Sequence, residues 1–339
     1  MEEKMTIDQV AELAYVSRSV VSRVLNGHPN VSDEARRRVQ KVIEEHDYQP
    51  SSVARSLATD RSFEISVLTP RRGDESLATG YWPLLYSGIF EQCLERGYFV
   101  SLSMIAPDME EGVNERIQDQ RFDGHVLITQ EVTGLLDPDA FEQRDVPAVL
   151  IGRDPEWEGL SSIDIDNVAG GYKAGRHLCS LGYREIGVIL GTERLAETTE
   201  RRDGLEQALN DAGAIIRDEC VAYTDYSQES GYRTVQQWAR AGILPGALFC
   251  AGDTIAMGAL LALHEEGIEV PHDVAVVGFD GLPASQYTVP PLTTVRQPVY
   301  EKGKLAADRL LDRIESADDG PSHIELEPEL VLRASCGAA

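Results

Sequence analysis

Cysteine is scarce in this sequence of 339 residues, and no two cysteines are close enough to share a short motif. The five cysteines are Cys93, Cys179, Cys220, Cys250 and Cys336. Because their number is odd and no CxxC pair occurs, neither a disulfide framework nor a zinc site is expected. Free thiols are typical of a reducing compartment, so this usage favours a cytoplasmic protein.

Segments that direct a chain into a membrane are also lacking. The N-terminus, MEEKMTIDQV, is too polar for a signal peptide. The most apolar stretch, residues 241–263, is interrupted by Pro245 and Asp253 and predicts a buried strand followed by a helix, not a membrane span. We therefore expect no membrane partner.

Motifs of catalysis are missing as well. The patterns GxGxxG, GxxxxGK[ST], GxSxG and HExxH do not occur in the sequence. The seven histidines do not cluster at the spacing of metal ligands. We therefore expect no enzyme, no cofactor and no metal site.

Positive charge is in short supply, with 31 Lys and Arg against 57 Asp and Glu and a formal net charge of −26. A nucleic-acid-binding protein is expected to be basic, so the total argues against DNA. The shortage is uneven, however. Residues 15–41 carry six basic and two acidic residues, whereas the chain after Ser62 carries 22 basic and 47 acidic residues. The acidic part is typical of a solvated surface.

Three helices are predicted within the first fifty residues. Ile7, Val10 and Ala14 follow helical spacing, and a short break after them precedes a second helix over residues 18–25. Ser32 is a candidate N-cap for the third helix. Two short helices joined by a three-residue turn form a helix-turn-helix.

The second of these helices is rich in hydrogen-bond donors near its N-terminal end, where base edges are met in the major groove. A small helical bundle with a solvated arginine face is the alternative that helical spacing leaves open. The candidate DNA contacts in this region are Thr6, Ser17, Arg18, Ser19, Ser22, Arg23 and Asn26.

A further short helix is predicted over residues 51–58. Eight residues are too few for a helix that is stable alone. Leu57, beside Ala54 and Arg55, suits a wedge between base steps of a minor groove, and we expect all three to contact DNA. The alternative is a linker whose leucine packs on the next domain.

The segment TIDQVAELAYVSRSVVSRVLNGHPNVSDEARRRVQKVIEEHDYQPSSVARSL, residues 6–57, resembles the N-terminal domain of the LacI/GalR family of bacterial transcription regulators. The resemblance implies that Arg18, Ser19 and Arg23 read base edges. It also implies that Leu57 intercalates at the operator centre with Ala54 beside it. Tyr15 departs from the family, because Gly or Asn often holds this turn position and a bulky residue at positive φ is costly.

From residue 63 onward, short apolar runs alternate with helical segments, which is typical of parallel sheets with helices on both faces. Strands are predicted at 63–69, 98–104, 122–128, 148–152, 185–190, 247–251 and 273–279, and helices at 84–96, 168–181, 200–212, 229–241 and 254–266. The expected fold class is an N-terminal all-α helix-turn-helix domain followed by an α/β core of doubly wound parallel sheets.

One sheet of this length would be unusually wide, so two lobes are expected. The family resemblance continues through this region and implies a two-lobed, periplasmic-binding-protein-like core. The expected domains are residues 1–50 for the helix-turn-helix, 51–62 for a hinge helix and linker, and 63–339 for effector binding and dimerisation. Lobe 1 is expected at 63–162 and 291–326, and lobe 2 at 163–290 and 327–339.

Side chains at strand-to-loop junctions are candidate effector contacts, because ligands in doubly wound folds bind at the carboxyl ends of strands. Carboxylates and arginine bond to vicinal hydroxyls, and aromatic rings cover the apolar face of a sugar. The candidates are Tyr81, Trp82, Arg153, Asp166, Arg201, Asp253 and Asp280.

For three of these candidates, a purely structural role is the alternative. Asp253 would serve as a helix cap, Arg201 would pair with Glu197, and Trp82 would belong to the core. The resemblance instead implies effector contacts for Arg201, Asp253 and Asp280. Gly252 stands where the family usually has Asn.

These patterns predict an effector-responsive, sequence-specific DNA-binding regulator that represses a carbohydrate-utilisation operon. Its expected partners are double-stranded operator DNA, a carbohydrate effector and a second copy of the chain. A nucleoside or other non-sugar effector is one alternative, and a sugar-binding receptor without a regulatory role is another. The chain ends directly after its last strand, without the leucine heptad of tetrameric relatives, which favours a homodimer.

A mechanism for the switch follows from the predicted domains. We expect the effector to close the cleft and shift the dimerising lobe, so that the helix at residues 51–58 loses the contacts that keep it folded. The acidic body predicts only modest affinity for non-specific DNA.

Overall fold

The computed structural model of the chain describes residues 5–25, 30–46, 48, 61–70, 80–105, 121–128, 130–138, 141, 145–315 and 320–337. The chain divides into two compact units, Met1–Phe63 and Glu64–Ala339. Asn26 and the predicted helix at residues 51–58, with Ala54, Arg55 and Leu57, lie outside the described residues.

The described part of the first unit contains three helices, α1 (Ile7–Leu13), α2 (Arg18–Leu25) and α3 (Asp33–Glu45). Their apolar sides meet in one small core, in which Val10, Val21 and Val39 have no exposed surface. Thr6 caps α1 in a reciprocal arrangement with Gln9, which satisfies two backbone amides that the helix leaves free. The short helices are therefore held by their caps and by burial of their valines.

In the turn between α1 and α2, the backbone of Tyr15 is in the left-handed conformation although its side chain is bulky. Tyr15 has a φ of 54° and is 85% exposed. Its amide donates to the carbonyl of Glu12, and the amide of Val16 donates to the carbonyl of Ala11. The turn therefore forms with Tyr15 in place of the more common Gly or Asn, and its backbone is strained at this residue.

The first lobe of the second unit is built on one parallel sheet. Its strands are β1 (Glu64–Pro70), β2 (Phe99–Ile105), β3 (Gly124–Ile128), β4 (Ala148–Ile151), β5 (Ser161–Ile165) and β11 (His323–Leu326). Their order is β11-β5-β4-β3-β1-β2, and all neighbours are parallel. The described helices of this lobe are α4 (Tyr81–Glu95), the short α5 (Gln130–Thr133) and α10 (Val299–Glu315).

The second lobe repeats this plan. Its strands are β6 (Glu185–Leu190), β7 (Ile215–Tyr223), β8 (Ala247–Cys250), β9 (Ala275–Asp280), β10 (Thr293–Arg296) and β12 (Glu329–Val331). Their order is β12-β10-β9-β8-β6-β7, with only β12 antiparallel to its neighbour. The helices α6 (Asn167–Ser180), α7 (Ala196–Asp211), α8 (Gln228–Ala241) and α9 (Asp253–Glu265) cover the sheet.

Apolar clusters bury both faces of this second sheet, one around Phe249 and Phe279 and one around Leu248 and Val276. Sheets covered on both faces explain why the central strands read as continuous apolar runs. The predicted fold class is confirmed. Within the described residues, no helix has the length and apolar character that crossing a bilayer requires.

Along the described residues, the chain crosses between the two sheets three times, and two crossings lie three to six residues after the approximate lobe boundaries expected from the sequence. β5 lies wholly in the first sheet, so the first crossing follows Ile165 and not residue 162. β10 pairs with β9 in the second sheet, so the second crossing follows Arg296 and not the prolines at 290–291. The third crossing lies between Leu326 and Glu329. Strand pairing sets these boundaries, and the prolines do not.

Helices α6 and α7 cross at glycines. A Cβ atom at Gly204 would lie 1.9 Å from the carbonyl oxygen of Val168, and one at Gly171 would lie 2.0 Å from the carbonyl oxygen of Arg201. Real Cβ atoms do not approach backbone so closely, so both positions require glycine. This close crossing fixes where α7 presents its side chains.

Candidate functional site

The two lobes meet beside the carboxyl ends of their strands. A Cβ atom at Gly80, just before α4, would lie 3.8 Å from the side chain of Leu282, which follows β9 in the other lobe. Burial raises the pKa of Tyr81 at the start of α4, and charges from both lobes act on it, among them Lys302 and Asp280. Tyr81 therefore lies in a narrow cleft lined by both lobes.

Arg201 anchors the second-lobe wall of this cleft and is only 6% exposed. Its Nε atom donates to Asn167 Oδ1 at 2.9 Å, and its Nη1 atom donates to the carbonyl oxygen of Ala251 at 2.6 Å. Its guanidinium lies 3.9 Å from the centre of the Phe279 ring. These contacts fix the plane of the guanidinium, and they exclude the alternative that Glu197 alone holds it.

Asp280 stands opposite this guanidinium at the end of β9. One of its carboxylate oxygens lies 3.8 Å from Arg201 Nη1 and accepts a hydrogen bond from Gln297 Nε2 at 2.6 Å. Burial raises the pKa of Asp280, and the charge of Arg201 opposes that rise. Asp280 also has a φ of 110°, in a region that favours glycine, so the surrounding contacts hold it in a strained conformation.

Gln297 leaves one hydrogen-bonding atom of this group unused. Its side chain is buried, and its Oε1 atom has no hydrogen-bond partner among the described residues. A buried carbonyl oxygen without a donor is costly. Gln297 Oε1 is therefore an unsatisfied acceptor on the side chain that donates to Asp280.

Asp253 is fully buried beside Asp280, and its expected effector contact stays a prediction. It has no exposed surface. One carboxylate oxygen accepts from the amide of Leu282 at 2.7 Å, and the other accepts from Thr294 Oγ1 at 2.6 Å. Burial, and then the nearby charge of Asp280, raise its pKa. Asp253 holds the loop that follows Asp280.

The two aromatic residues at the start of α4, Tyr81 and Trp82, lie in different surroundings. The rings of Tyr81 and Trp82 contact edge to face at 5.3 Å, and Trp82 also stacks on Tyr86 at 6.1 Å. Trp82 is only 7% exposed. The structure therefore places Trp82 in the core of the first lobe and Tyr81 at the cleft.

Arg153 and Asp166 lie at the edges of the cleft. Arg153 is exposed, and its guanidinium is 3.6 Å from the carboxylate of Glu325 in the same lobe. Asp166 accepts a hydrogen bond from the amide of Ala169 at 2.7 Å and so caps α6. The two side chains are not brought together with Arg201 and Asp280.

Tyr226 fills the space beside Gly252, where the family usually has Asn. A Cβ atom at Gly252 would lie 3.3 Å from the Tyr226 ring and 3.4 Å from the carboxylate of Asp280. The Tyr226 hydroxyl is 3.0 Å from Thr198 Oγ1, on α7. An aromatic ring thus occupies part of the volume that a longer side chain at position 252 would take.

The helix-turn-helix presents most of its candidate contacts to solvent. Thr6, Ser17, Arg18, Ser19 and Arg23 are exposed, and Ser22 is half-buried. The hydroxyls of Ser17 and Ser19 are 2.8 Å apart, which ties the start of α2 together. Arg18 lies 3.8 Å from Asp8 on α1, a surface pair that contributes little stability and leaves the guanidinium accessible.

Comparison with known proteins identifies the chain. Residues 6–51 match the family described as bacterial regulatory proteins, lacI family, and residues 176–336 match a periplasmic binding protein-like domain. Repressors named HTH-type transcriptional repressor PurR, from Escherichia coli O139:H28 and from Erwinia tasmaniensis, are 34% identical over 97% of this chain and 96% of their own length. The chain belongs to the LacI family. It is thus an effector-responsive DNA-binding transcription regulator.

Solved structures of LacI-family proteins agree with this assignment. A lac repressor dimer bound to operator and the anti-inducer ONPF has a TM-score of 0.84 and 28% identity, covering 98% of this chain and 99% of that one. A complex of the transcriptional regulator CelR with cellobiose has a TM-score of 0.74 and 30% identity, covering 98% and 100%. These relatives are named as regulators and not as enzymes.

Several residues of the cleft in this LacI-family chain carry no local sequence signal that predicts their position. Asn167 lies one residue beyond the candidate Asp166 at the end of β5, and Gln297 follows β10, a strand that the sequence patterns do not predict. Lys302 and Asp164 form a buried ion pair whose members are 138 residues apart in sequence. No local sequence pattern predicts an ion pair between residues so far apart in the chain.

Proposed function

We propose that this regulator is a repressor of a carbohydrate-utilisation operon and that its effector is a carbohydrate. The buried group of Arg201, Asp280 and Gln297 carries this proposal, because it offers fixed donors and acceptors side by side. Vicinal hydroxyls of a sugar both donate and accept, so they match such a group. The CelR relative with bound cellobiose supports the same ligand class.

A nucleoside is the second candidate effector. Tyr81 and Tyr226 place aromatic rings at the cleft, and a planar base stacks on such rings. A thermal-shift screen of saccharides and nucleosides with the full chain separates the two candidates. We expect a saccharide to raise Tm, and stabilisation by nucleosides alone would contradict the carbohydrate proposal.

For operator recognition, we propose that α2 enters the major groove and that Arg18, Ser19 and Arg23 contact base edges. Thr6, Ser17, Ser22 and Asn26 would supply the neighbouring contacts, and Ala54, Arg55 and Leu57 would occupy the minor groove. The exposure of the arginines on α2 supports this proposal.

A gel shift on the upstream region of its own gene tests operator binding. We expect Arg18→Ala to weaken specific binding by about tenfold or more, as for loss of one good base contact. Lys41→Ala, an exposed position on α3, is the matched control. A Leu57→Ala variant that binds as tightly as wild type would remove the minor-groove wedge from the proposal.

We also propose a homodimer. Tyr287 and Val289 on the second lobe are 78% and 89% exposed and lie two residues apart, so they offer neighbouring apolar surface for a second copy of the chain. The lac repressor relative is described as a dimer. Sedimentation of wild type and of Val289→Asp tests this surface, and we expect the variant to shift toward the monomer.

The switch would then work through the cleft. Effector binding between the lobes changes their closure, and the segment at residues 51–58 loses the contacts that order it on DNA. The effector moves this equilibrium only by its difference in affinity for the two states. Such a protein acts where its operator is, in the cytoplasm.

A further inference from the structure

Lys302 is a buried cation on the first-lobe side of the cleft. It lies near the start of α10, is 4% exposed, and donates from Nζ to Asp164 Oδ1 at 2.8 Å. An ammonium carries three donors, and no second hydrogen bond satisfies it within the described part of the chain. Buried lysines are rare because removal of the charge from water is costly, so this placement needs an explanation.

The charge of Lys302 acts across the cleft on Asp280, which belongs to the other lobe. The charge of Lys302 acts to lower the pKa of Asp280, although burial raises that pKa more strongly. The charges of Lys302 and of Asp164 both act on the hydroxyl of Tyr81. Gln297 through its hydrogen bond and Lys302 through its charge therefore both act on Asp280 at the cleft.

Three described cations at the cleft already have anionic partners. Lys302 is paired with Asp164, Arg201 lies 3.8 Å from Asp280, and Arg153 lies 3.6 Å from Glu325. Two further carboxylates lie within electrostatic range of this pair. The charge of Glu197 acts on Lys302, and the charges of Glu200 and Asp164 act on each other. A phosphate group would bring about two more negative charges into this balanced or acidic environment, in which Lys302, Arg201 and Arg153 already have anionic partners.

We propose that Lys302 and Asp164 form the first-lobe half of the effector site, and that this neutral pair selects an uncharged polyhydroxy ligand over its phosphorylated counterpart. A hydroxyl oxygen of the ligand accepts from Lys302, and a hydroxyl on the opposite side donates to Gln297 Oε1. Asp164 neutralises the ammonium and so removes its attraction for anions. This inference rests on the proposed function, because it concerns the same cleft.

Calorimetry with matched ligand pairs tests the selection directly on the full chain. The pairs are glucose and glucose 6-phosphate, ribose and ribose 5-phosphate, and adenosine and AMP. We expect the neutral member of a binding pair to bind at least about tenfold more tightly. Tighter binding of the phosphate overturns the inference. Binding of adenosine but of no sugar contradicts the carbohydrate proposal. In that case, the comparison of adenosine with AMP still tests the selection against phosphorylated ligands.

Inorganic phosphate provides a test that needs no organic effector. Asp164→Asn leaves the ammonium of Lys302 without its counter-charge, so we expect phosphate to raise the Tm of this variant by about 2–4 °C relative to chloride at equal ionic strength. Wild type should not respond. The control Lys304→Met removes a neighbouring lysine that pairs with Glu91 and Glu95 on α4, and it should behave as wild type.

The double variant Asp164→Asn with Lys302→Met identifies the responding cation. We expect it to lose the stabilisation by phosphate that Asp164→Asn gains, because the ammonium is then absent. The proposal is wrong if Asp164→Asn shows no response to phosphate, or if the double variant keeps that response.

Discussion

The guanidinium of Arg201 lies 3.9 Å above the ring of Phe279, and its Nε and Nη1 atoms donate to Asn167 and to the carbonyl of Ala251. One side chain thus ties together α7, the start of α6 and the end of β8. The same guanidinium forms part of the second-lobe wall of the cleft. The stability of the second lobe and the geometry of its site therefore depend on one residue.

Arg201→Lys should lower the free energy of unfolding by about 2 kcal/mol, because an ammonium cannot make both bonds and stack on Phe279. Urea unfolding followed by tryptophan fluorescence measures this change, since all three tryptophans lie in the second unit. Arg202→Lys is the control, because Arg202 pairs with Glu206 at the surface and should change stability by less than about 0.5 kcal/mol. Equal losses in the two variants would contradict the anchoring role of Arg201.

Gly204→Ala should force α6 and α7 apart, because its new Cβ atom would lie 1.9 Å from the carbonyl oxygen of Val168. We expect a loss of about 3 kcal/mol in unfolding free energy and weaker effector binding, since Arg201 lies one turn earlier on α7. Gly320→Ala has no atom within 4 Å of its Cβ and should be neutral. Denaturation curves of both variants measure this difference. An unchanged midpoint in Gly204→Ala would contradict the close crossing of α6 and α7.

The buried carboxyl of Asp253 should make stability depend on pH. Burial and the charge of Asp280 raise its pKa in the folded protein, so the folded state holds a proton that the unfolded state releases. Its stabilising effect is therefore complete at pH below the ordinary range of an aspartate and is lost as pH rises toward the raised pKa.

Asp253→Asn lacks this proton and should lose that dependence. As pH rises, the difference in unfolding free energy should move in favour of the variant, by up to about 1.4 kcal/mol per pH unit. Asp203→Asn, at an exposed position of α7, should track wild type. Urea titrations from acid to alkaline pH test this, and a difference that stays constant with pH would refute the role assigned to Asp253.

Tyr15→Asn should stabilise the helix-turn-helix by about 0.5 kcal/mol, because Asn tolerates the left-handed conformation at φ of 54° better than Tyr. Glu12→Asn, on the exposed side of α1, should have the opposite sign, since Asn is the poorer helix former. Amide hydrogen exchange of Val21 and Val24 reports on this unit in the full chain. Slower exchange in Glu12→Asn than in Tyr15→Asn would contradict the strain at Tyr15.

Local patterns in the sequence determined the helix-turn-helix and most of the alternating strands and helices. The strand Glu185–Leu190 was predicted to the residue, and the helix Asp253–Glu265 within one, because apolar runs and end signals are carried by adjacent residues. The strand Ile215–Tyr223 was missed because it is an edge strand with a single fully buried residue, Cys220. The amphipathic helix Val299–Glu315 was also missed.

Only the tertiary structure decided how the cleft is built. It placed β10 in the second sheet, buried Asp253 behind the loop that it holds, and paired Lys302 with Asp164. These features arise from strand pairing and charge pairing between segments far apart in the chain. Their energies depend on burial and distance in the folded protein, which the order of residues alone does not specify.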